Sequence, residues 1–137
     1  MSWEPPKTIW ITTEKFNIAD YNRIKNNVAY LSYAAGMSSG IGDLEDLGAD
    51  ISSYSAMWDY KKFNAMENNL EKITRAWLPR NQRFIHKTYY PGGKFIDASE
   101  LSRIESVCVV LKPFADNWEN GRMRIPFRFG DDRKIRV

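Results

Sequence analysis

Hydrophobic residues recur along this chain with the alternating spacing of three and four that is typical of one face of an α-helix. Three segments show this spacing, and the second and third follow the first at offsets of 42 and 80 residues. Their stripes are Tyr21, Ile24, Val28 and Leu31; Phe63, Met66, Leu70 and Ile73; and Leu101, Ile104, Cys108 and Leu111. We therefore infer an internal repeat and predict three helices, near residues 18–34, 60–77 and 98–112, whose stripes pack together in one core.

The three predicted helices begin in the same way. Asn17, Asp59 and Asp97 each stand four residues before the first stripe residue, where an Asx oxygen can accept from the amides of a first helical turn. An apolar residue precedes each cap and can act as a hydrophobic staple: Phe16, Trp58 and Ile96. The middle helix carries Lys62 in its first turn where the others carry an acidic residue, so we expect it to start less firmly.

The polar faces also repeat, since Asn26-Asn27 in the first unit returns as Asn68-Asn69 in the second. Asparagine is a poor helix former, because its amide competes for backbone hydrogen bonds. Two interpretations stay open: the amides bind a neighbouring helix or loop, or they face solvent.

The remaining segments predict loops and a small β part. Residues 36–55 are typical of a long loop, and residues 83–90 of a short strand that ends at Pro91-Gly92-Gly93. Residues 122–129 alternate basic and apolar side chains before a Gly130 turn, which indicates a C-terminal β-hairpin, with Pro126 on an edge strand. The expected fold is one mainly α domain with a small β part: an N-terminal arm (1–15), a three-helix repeat region (16–112) and a hairpin tail (113–137).

Composition is consistent with one soluble domain. The 137 residues are 43% hydrophobic and 14% aromatic, which is ample for a core. The net charge of +3 is unevenly spread, because residues 78–137 carry most of the basic groups. The longest apolar run, Val107 to Leu111, is too short to span a bilayer, and no signal peptide is expected at the N-terminus. Cys108 is the single cysteine, so an intrachain disulfide is excluded.

No pattern of residues indicates catalysis or ligand binding. His86 is the only histidine, and the Cys108 thiol lies on a hydrophobic stripe, as a buried apolar side chain would. Gly92-Gly93-Lys94 lacks the upstream glycine of a phosphate loop, and the acidic residues near Asp43 do not match a calcium loop. We therefore predict that the protein is not an enzyme and has no cofactor and no metal site.

The repeat resembles a segment common in tail, baseplate and fibre proteins of phages that infect Gram-positive bacteria. The similarity lies in residues 16–27, Phe-Asn-Ile-Ala-Asp-Tyr-Asn-Arg-Ile-Lys-Asn-Asn, preceded by Trp10-Ile11-Thr12-Thr13. Residues 98–105, Ala-Ser-Glu-Leu-Ser-Arg-Ile-Glu, are a second match, whereas the middle unit departs at Ala65 and Met66. The resemblance covers less than half of the chain. It implies a virion component of the tail, made in the host cytoplasm, that joins other tail proteins and carries no catalytic residues.

Two classes of function follow from these features. In the first, the protein forms homo- or hetero-oligomers with other phage tail proteins through its two ends: Trp3, Ile9 and Trp10 in the arm, and Arg122, Arg124, Phe127, Arg128 and Phe129 in the tail. In the alternative, the tail arginines bind nucleic acid phosphates. We disfavour the alternative because aromatic side chains that alternate with arginines face the other side of a strand. No membrane partner is expected. The sequence leaves open whether each end packs on its own core or on a neighbour.

Overall fold

The computed structural model of the protein describes residues 3–11, 16–53, 59–82, 84, 87–90 and 97–121. These residues contain three α-helices: α1 (Ile18–Ser39), α2 (Tyr60–Trp77) and α3 (Ala98–Gly121). A short 3-10 turn at Arg80–Gln82 follows α2. All three helices begin at the predicted residues, and α1 and α3 extend beyond their predicted ends.

The predicted N-caps are all formed. The Asn17 side chain accepts from the Asp20 amide at 2.9 Å, and the Asp20 carboxylate accepts from the Asn17 amide, which completes a capping box. Asp59 accepts from the amide of Lys61, and Asp97 from that of Glu100. α2 has no acidic residue in its first turn. Trp58 and Ile96, two of the three predicted staples, lie outside the described residues.

The C-terminal ends of α1 and α3 depend on tertiary packing, which cannot be predicted from the local sequence. α1 continues through Gly36 to Gly40, a left-handed C-cap with φ of 67°, because Ala34 and Ala35 are buried against the core. α3 passes through Pro113, whose missing amide would ordinarily end a helix. Leu111 and Ala115 are fully buried on either side of this proline, which favours continuing the helix over breaking it.

The helices run parallel to one another, as the order of their contacts shows. From α1 to α3, Arg23 pairs with Glu105 and Tyr30 with Asp116. From α1 to α2, the Tyr21 ring contacts the Phe63 ring, and Ser32 accepts from Asn69 further along. From α2 to α3, Glu67 pairs with Arg103, and Trp77 stacks on Phe114. In each pair of helices, residue numbers rise together, so the chain must return to the starting end of the bundle between helices.

The three hydrophobic stripes form the core. Each of the twelve stripe residues has a relative exposure of 3% or less, and all belong to one buried cluster. Trp10, Leu78 and Phe84, which lie outside the helices, also belong to this cluster. Burial raises the pKa of the Cys108 thiol, with a further contribution from Glu105, so the thiol stays protonated at neutral pH.

The prediction of a mainly α fold with a small β part is wrong: the described residues form a three-helix α-bundle and contain no β-strand. In the segment expected as a strand, residues 87–90 bond to side chains of α2 instead of to a neighbouring backbone: Lys87 and Tyr89 donate their amides to Glu67 and Asn64. The hairpin expected at residues 122–137 lies outside the described residues.

Replacing Ile24 by alanine tests the core. Ile24 is 1% exposed in the centre of the bundle. We expect Ile24→Ala to lower the free energy of unfolding by about 2–5 kcal/mol in urea titrations, because the shortened side chain leaves a cavity. Val109→Ala, on an exposed face of α3, is the matched control and should change stability by less than about 0.5 kcal/mol. Equal effects of the two substitutions would contradict the core assignment.

Candidate functional site

Three segments without regular secondary structure, here called arms, lie in the grooves of the bundle. Arm 1 (residues 3–11) precedes α1, arm 2 (43–51) precedes α2, and arm 3 (84 and 87–90) precedes α3. Each arm contacts its own helix and one other: arm 1 contacts α3, arm 2 contacts α1 and arm 3 contacts α2, as the bonds below show. The described residues therefore form a ring of three arm–helix units, units 1 to 3, in which each arm contacts two helices.

Asparagine side chains fasten the arms to the helices. In four places one amide binds both backbone groups of a single arm residue: its Oδ1 accepts from the N–H and its Nδ2 donates to the C=O. The pairs are Asn27 with Glu4, Asn22 with Ile51, Asn69 with Glu45, and Asn64 with Tyr89, with all eight distances between 2.7 and 3.1 Å. An amide offers the same donor and acceptor as a peptide group, so it replaces the strand partner that an arm lacks. The sequence left open whether the asparagine amides bind a neighbouring helix or loop or face solvent, and the structure favours binding to a neighbouring segment.

Each helix also buries one charged side chain at the same position of the repeat. Lys25 is 3% exposed, Glu67 is fully buried and Glu105 is 1% exposed. A buried charge is costly unless it is paired and hydrogen-bonded. All three side chains obtain their partners from an arm, and two of them also from an arginine of the next unit.

The Glu105 carboxylate joins unit 3 to unit 1. It accepts from the Lys7 amide at 3.0 Å and from the Trp10 indole N–H at 2.6 Å, both in arm 1. Arg23 of α1 donates to both of its oxygens and also pairs with Asp20. Burial opposes the charge of Arg23, but the bonds to Glu105 and Asp20 outweigh this effect and raise its pKa. The cluster is therefore a charged, hydrogen-bonded anchor for arm 1.

Glu67 makes the equivalent cluster between units 2 and 3. It accepts from the Lys87 amide, from the Tyr89 hydroxyl at 2.7 Å and from Arg103. Arg103 also pairs with Glu100, and its guanidinium lies 4.6 Å from the centre of the Phe84 ring. Burial and the Glu67 carboxylate raise the pKa of Tyr89, so its hydroxyl remains a donor at neutral pH.

The third cluster, between units 1 and 2, has its charges inverted. Lys25 stands where the other clusters have glutamate, Ala65 where they have arginine, and Lys62 where they have aspartate or glutamate. Lys25 donates to Asp50 at 2.7 Å and to the Gly48 carbonyl. In the other two clusters the glutamate accepts from an arm amide, whereas here the lysine donates to an arm carbonyl. The hydrogen bonds from Lys25 and Asn26 lower the pKa of Asp50. An open surface pocket of about 260 Å³ lies beside Ala65, and its lining also includes Lys61, Lys62, Glu45 and Gly48.

The residues that we predicted at interfaces are placed as follows. Trp10 is 7% exposed in the groove between α1 and α3, and Trp3 packs on Tyr30, whereas Ile9 is 76% exposed. Arm 1 therefore packs on its own chain, a point that the sequence left open. The tail residues predicted at interfaces lie outside the described residues: Arg122, Arg124, Phe127, Arg128 and Phe129.

Sequence reasoning missed the three buried charges. Lys25, Glu67 and Glu105 each follow directly after a stripe residue, at the same position in every unit. This repeated position could have predicted buried charges, because a charged residue that lies beside the core stripe in all three units needs a buried partner. The identity of the partners could not be read, since they come from arms 20 to 98 positions away.

In comparisons with known proteins, no family model matches this chain, and no curated protein or solved structure shows significant similarity to it. Within the described part of the chain, no cluster of histidine, cysteine and acidic side chains could hold a metal ion. None of the described helices has the length and apolar character needed to cross a bilayer.

Asn64 provides a test of the amide pairs. In Asn64→Asp a carboxylate oxygen replaces the Nδ2 donor and faces the carbonyl oxygen of Tyr89. We expect a loss of about 1–3 kcal/mol in the free energy of unfolding at neutral pH. Asn117→Asp, on an exposed part of α3, makes the same chemical change without such a partner and should have little effect. A similar loss in both variants would show that the amide pair is not responsible.

The inverted cluster can be tested by a double-mutant cycle. Lys25→Glu alone places a carboxylate beside Asp50, and Ala65→Arg alone places a guanidinium near Lys25 and Lys62, so each single change should destabilise the protein. Together they can form the arginine–glutamate pair of the other two clusters, and we expect a favourable coupling of about 0.5–3 kcal/mol in urea titrations. Lys25→Glu combined with Val109→Arg is the control pair. Additive effects in both pairs would contradict the proposed equivalence of the clusters.

Proposed function

We propose that this protein is a structural component of a phage tail, baseplate or fibre and that it joins neighbouring tail proteins. The observation that supports this proposal concerns the residues of the resemblance. Arg23, Asn27, Arg103 and Glu105, which lie within or beside the matching segments, are the side chains that fasten arms to helices and units to one another. The residues that carry the resemblance are therefore residues that hold neighbouring arm–helix units together side by side.

These side chains hold parts of the fold together. Their donors and acceptors are used within the bundle, and the carboxylates of Glu67 and Glu105 are almost completely buried. A buried, saturated carboxylate is poorly placed to act on a substrate, whereas it fixes the position of an arm well. This use of polar residues supports a role in assembly over a role in chemistry.

Exposed apolar side chains offer surfaces for partners. Ile9 and Ile11 project from arm 1, and Val110 and Phe114 from α3, where Phe114 stacks on Trp77 at 5.9 Å. Large apolar side chains that remain exposed in a group are typical of protein–protein contact surfaces. The tail proteins of the same particle are the partners that the resemblance implies, and location in the virion belongs to the same proposal.

Co-assembly tests the proposal. We expect the purified protein to co-sediment in a defined complex with one of the purified tail proteins encoded beside it, and Val110→Asp with Phe114→Asp to weaken that complex because both place charge on the α3 surface. Ser52→Asp, which adds a charge at an exposed position outside α3, is the control. Failure to bind any of these tail proteins would contradict the proposal. Sub-micromolar binding to nucleic acid at physiological salt, lost in Arg122→Ala with Arg124→Ala, would favour the alternative function.

A further inference from the structure

Hydrophobic packing alone does not determine the order of the three helices around the bundle axis. Each helix buries a stripe with the same spacing, and each begins with the same type of cap. Exchanging the places of α2 and α3 would keep all three stripes in the core and would reverse the cyclic order of the helices. A bundle of similar helices can adopt either order unless another feature distinguishes the two.

The distinguishing residues lie on the two flanks of each stripe. In α1, Arg23 directly precedes the stripe residue Ile24 and Lys25 directly follows it, so the two side chains lie on opposite sides of the stripe. Because the helices are parallel, the residue before the stripe on one helix faces the residue after the stripe on its neighbour. The equivalent residues of α2 and α3 are Ala65 with Glu67 and Arg103 with Glu105.

The observed order brings compatible side chains together at every junction between helices. At two junctions an arginine pairs with a buried glutamate: Arg23 with Glu105, and Arg103 with Glu67. At the third junction Lys25 binds Gly48, which lines the same pocket as Ala65. The uncharged methyl group of Ala65 neither repels the lysine nor competes with its partner Asp50.

The reversed order would bring different residues together. The facing pairs would be Lys25 with Arg103, Glu105 with Ala65, and Glu67 with Arg23. The first pair places two cations side by side, and the second leaves a buried carboxylate without its arginine. Asp50 adds a third conflict, because arm 2 would follow α2 into the groove beside Glu105. Like charges that face each other and buried charges without a partner are strongly destabilising, so this order is disfavoured.

We propose that the pattern of charges beside the stripes sets the cyclic order of the helices, and that Lys25 and Ala65 are the pair that excludes the reversed order. With a glutamate at position 25 and an arginine at position 65, all three junctions would hold the same pair in either order. The inverted cluster is thus what separates the two orders electrostatically. The order in turn fixes how the exposed side chains of Ile9 and Phe114 are arranged around the bundle. The proposal concerns the isolated chain, so its test is independent of binding to tail proteins.

Two stacked rings report which order the helices adopt. The ring centres of Trp77 in α2 and Phe114 in α3 lie 5.9 Å apart in the observed order. In the reversed order, the flank of α2 that carries Trp77 faces α1 instead. Neither ring belongs to the charged clusters, so a nuclear Overhauser contact between them reports the order without involving the substituted residues.

The first test makes the three junctions alike. Lys25→Glu with Ala65→Arg leaves an arginine facing a glutamate at every junction in both orders. We expect NMR spectra of this full-length variant to show two sets of backbone amide signals, whereas the wild-type chain shows one. Val109→Arg, which adds an arginine at an exposed position of α3, is the control and should show one set. A single set with the Trp77–Phe114 contact retained would overturn the proposal, because the connections between the helices would then be sufficient to fix their order.

The second test matches the charges to the reversed order. Ala65→Arg with Arg103→Ala leaves the composition of the chain unchanged. In the observed order the new arginine lies beside Lys25, whereas in the reversed order it faces Glu105. We expect the contact between the two reporter rings to be lost and the Trp77 ring to contact α1. Retention of the ring contact in the folded variant would contradict the proposal. Loss of cooperative unfolding in both double variants would also contradict it, since each variant has one order in which every buried glutamate faces an arginine.

Discussion

The bundle depends on one charged side chain that each helix buries beside its hydrophobic stripe. Lys25, Glu67 and Glu105 lie beside the stripe, where burying an apolar residue would cost less, and each uses partners beyond its own helix. Asn26 of α1 accepts one hydrogen bond from Lys25, but all three charged groups also bind an arm. Each charge is therefore fully paired only when a particular irregular segment lies in the adjacent groove. This requirement couples the arms to the core, and the four asparagine pairs then fix the height of each arm along the helices.

The parallel arrangement of the helices follows from the same coupling. Two parallel helices in one chain need a connection that returns along the bundle, and such a connection exposes unpaired backbone groups unless something binds them. The asparagine side chains provide the donor and the acceptor that a neighbouring strand would otherwise provide. The return segments are thereby held on the surface of the helices without forming a sheet, and the Asn27 side chain holds arm 1 in the same way.

The inverted cluster shows how much of this arrangement is interchangeable. In the cluster between units 1 and 2, Ala65, Lys25 and Lys62 replace the arginine, the glutamate and the first-turn acid, and the bond to the arm is retained with donor and acceptor reversed. Alanine at position 65 avoids the repulsion that an arginine would have with Lys25, and an open pocket lies beside it. The position of the buried charge is therefore constrained, whereas its sign is not, provided that its neighbours change with it.

The sequence by itself determined the number of helices, their first residues and the face that each one buries, because caps and hydrophobic spacing are local and recur three times. Tertiary packing decided where α1 and α3 end, since Ala35 and Ala115 gain enough from burial to carry the helices past Gly36 and Pro113. Packing also decided that residues 87–90 are an arm and not a strand. An extended segment binds the donors and acceptors that lie beside it. Here these are the amide of Asn64 and the carboxylate of Glu67, which lie 25 and 20 residues before their partners Tyr89 and Lys87.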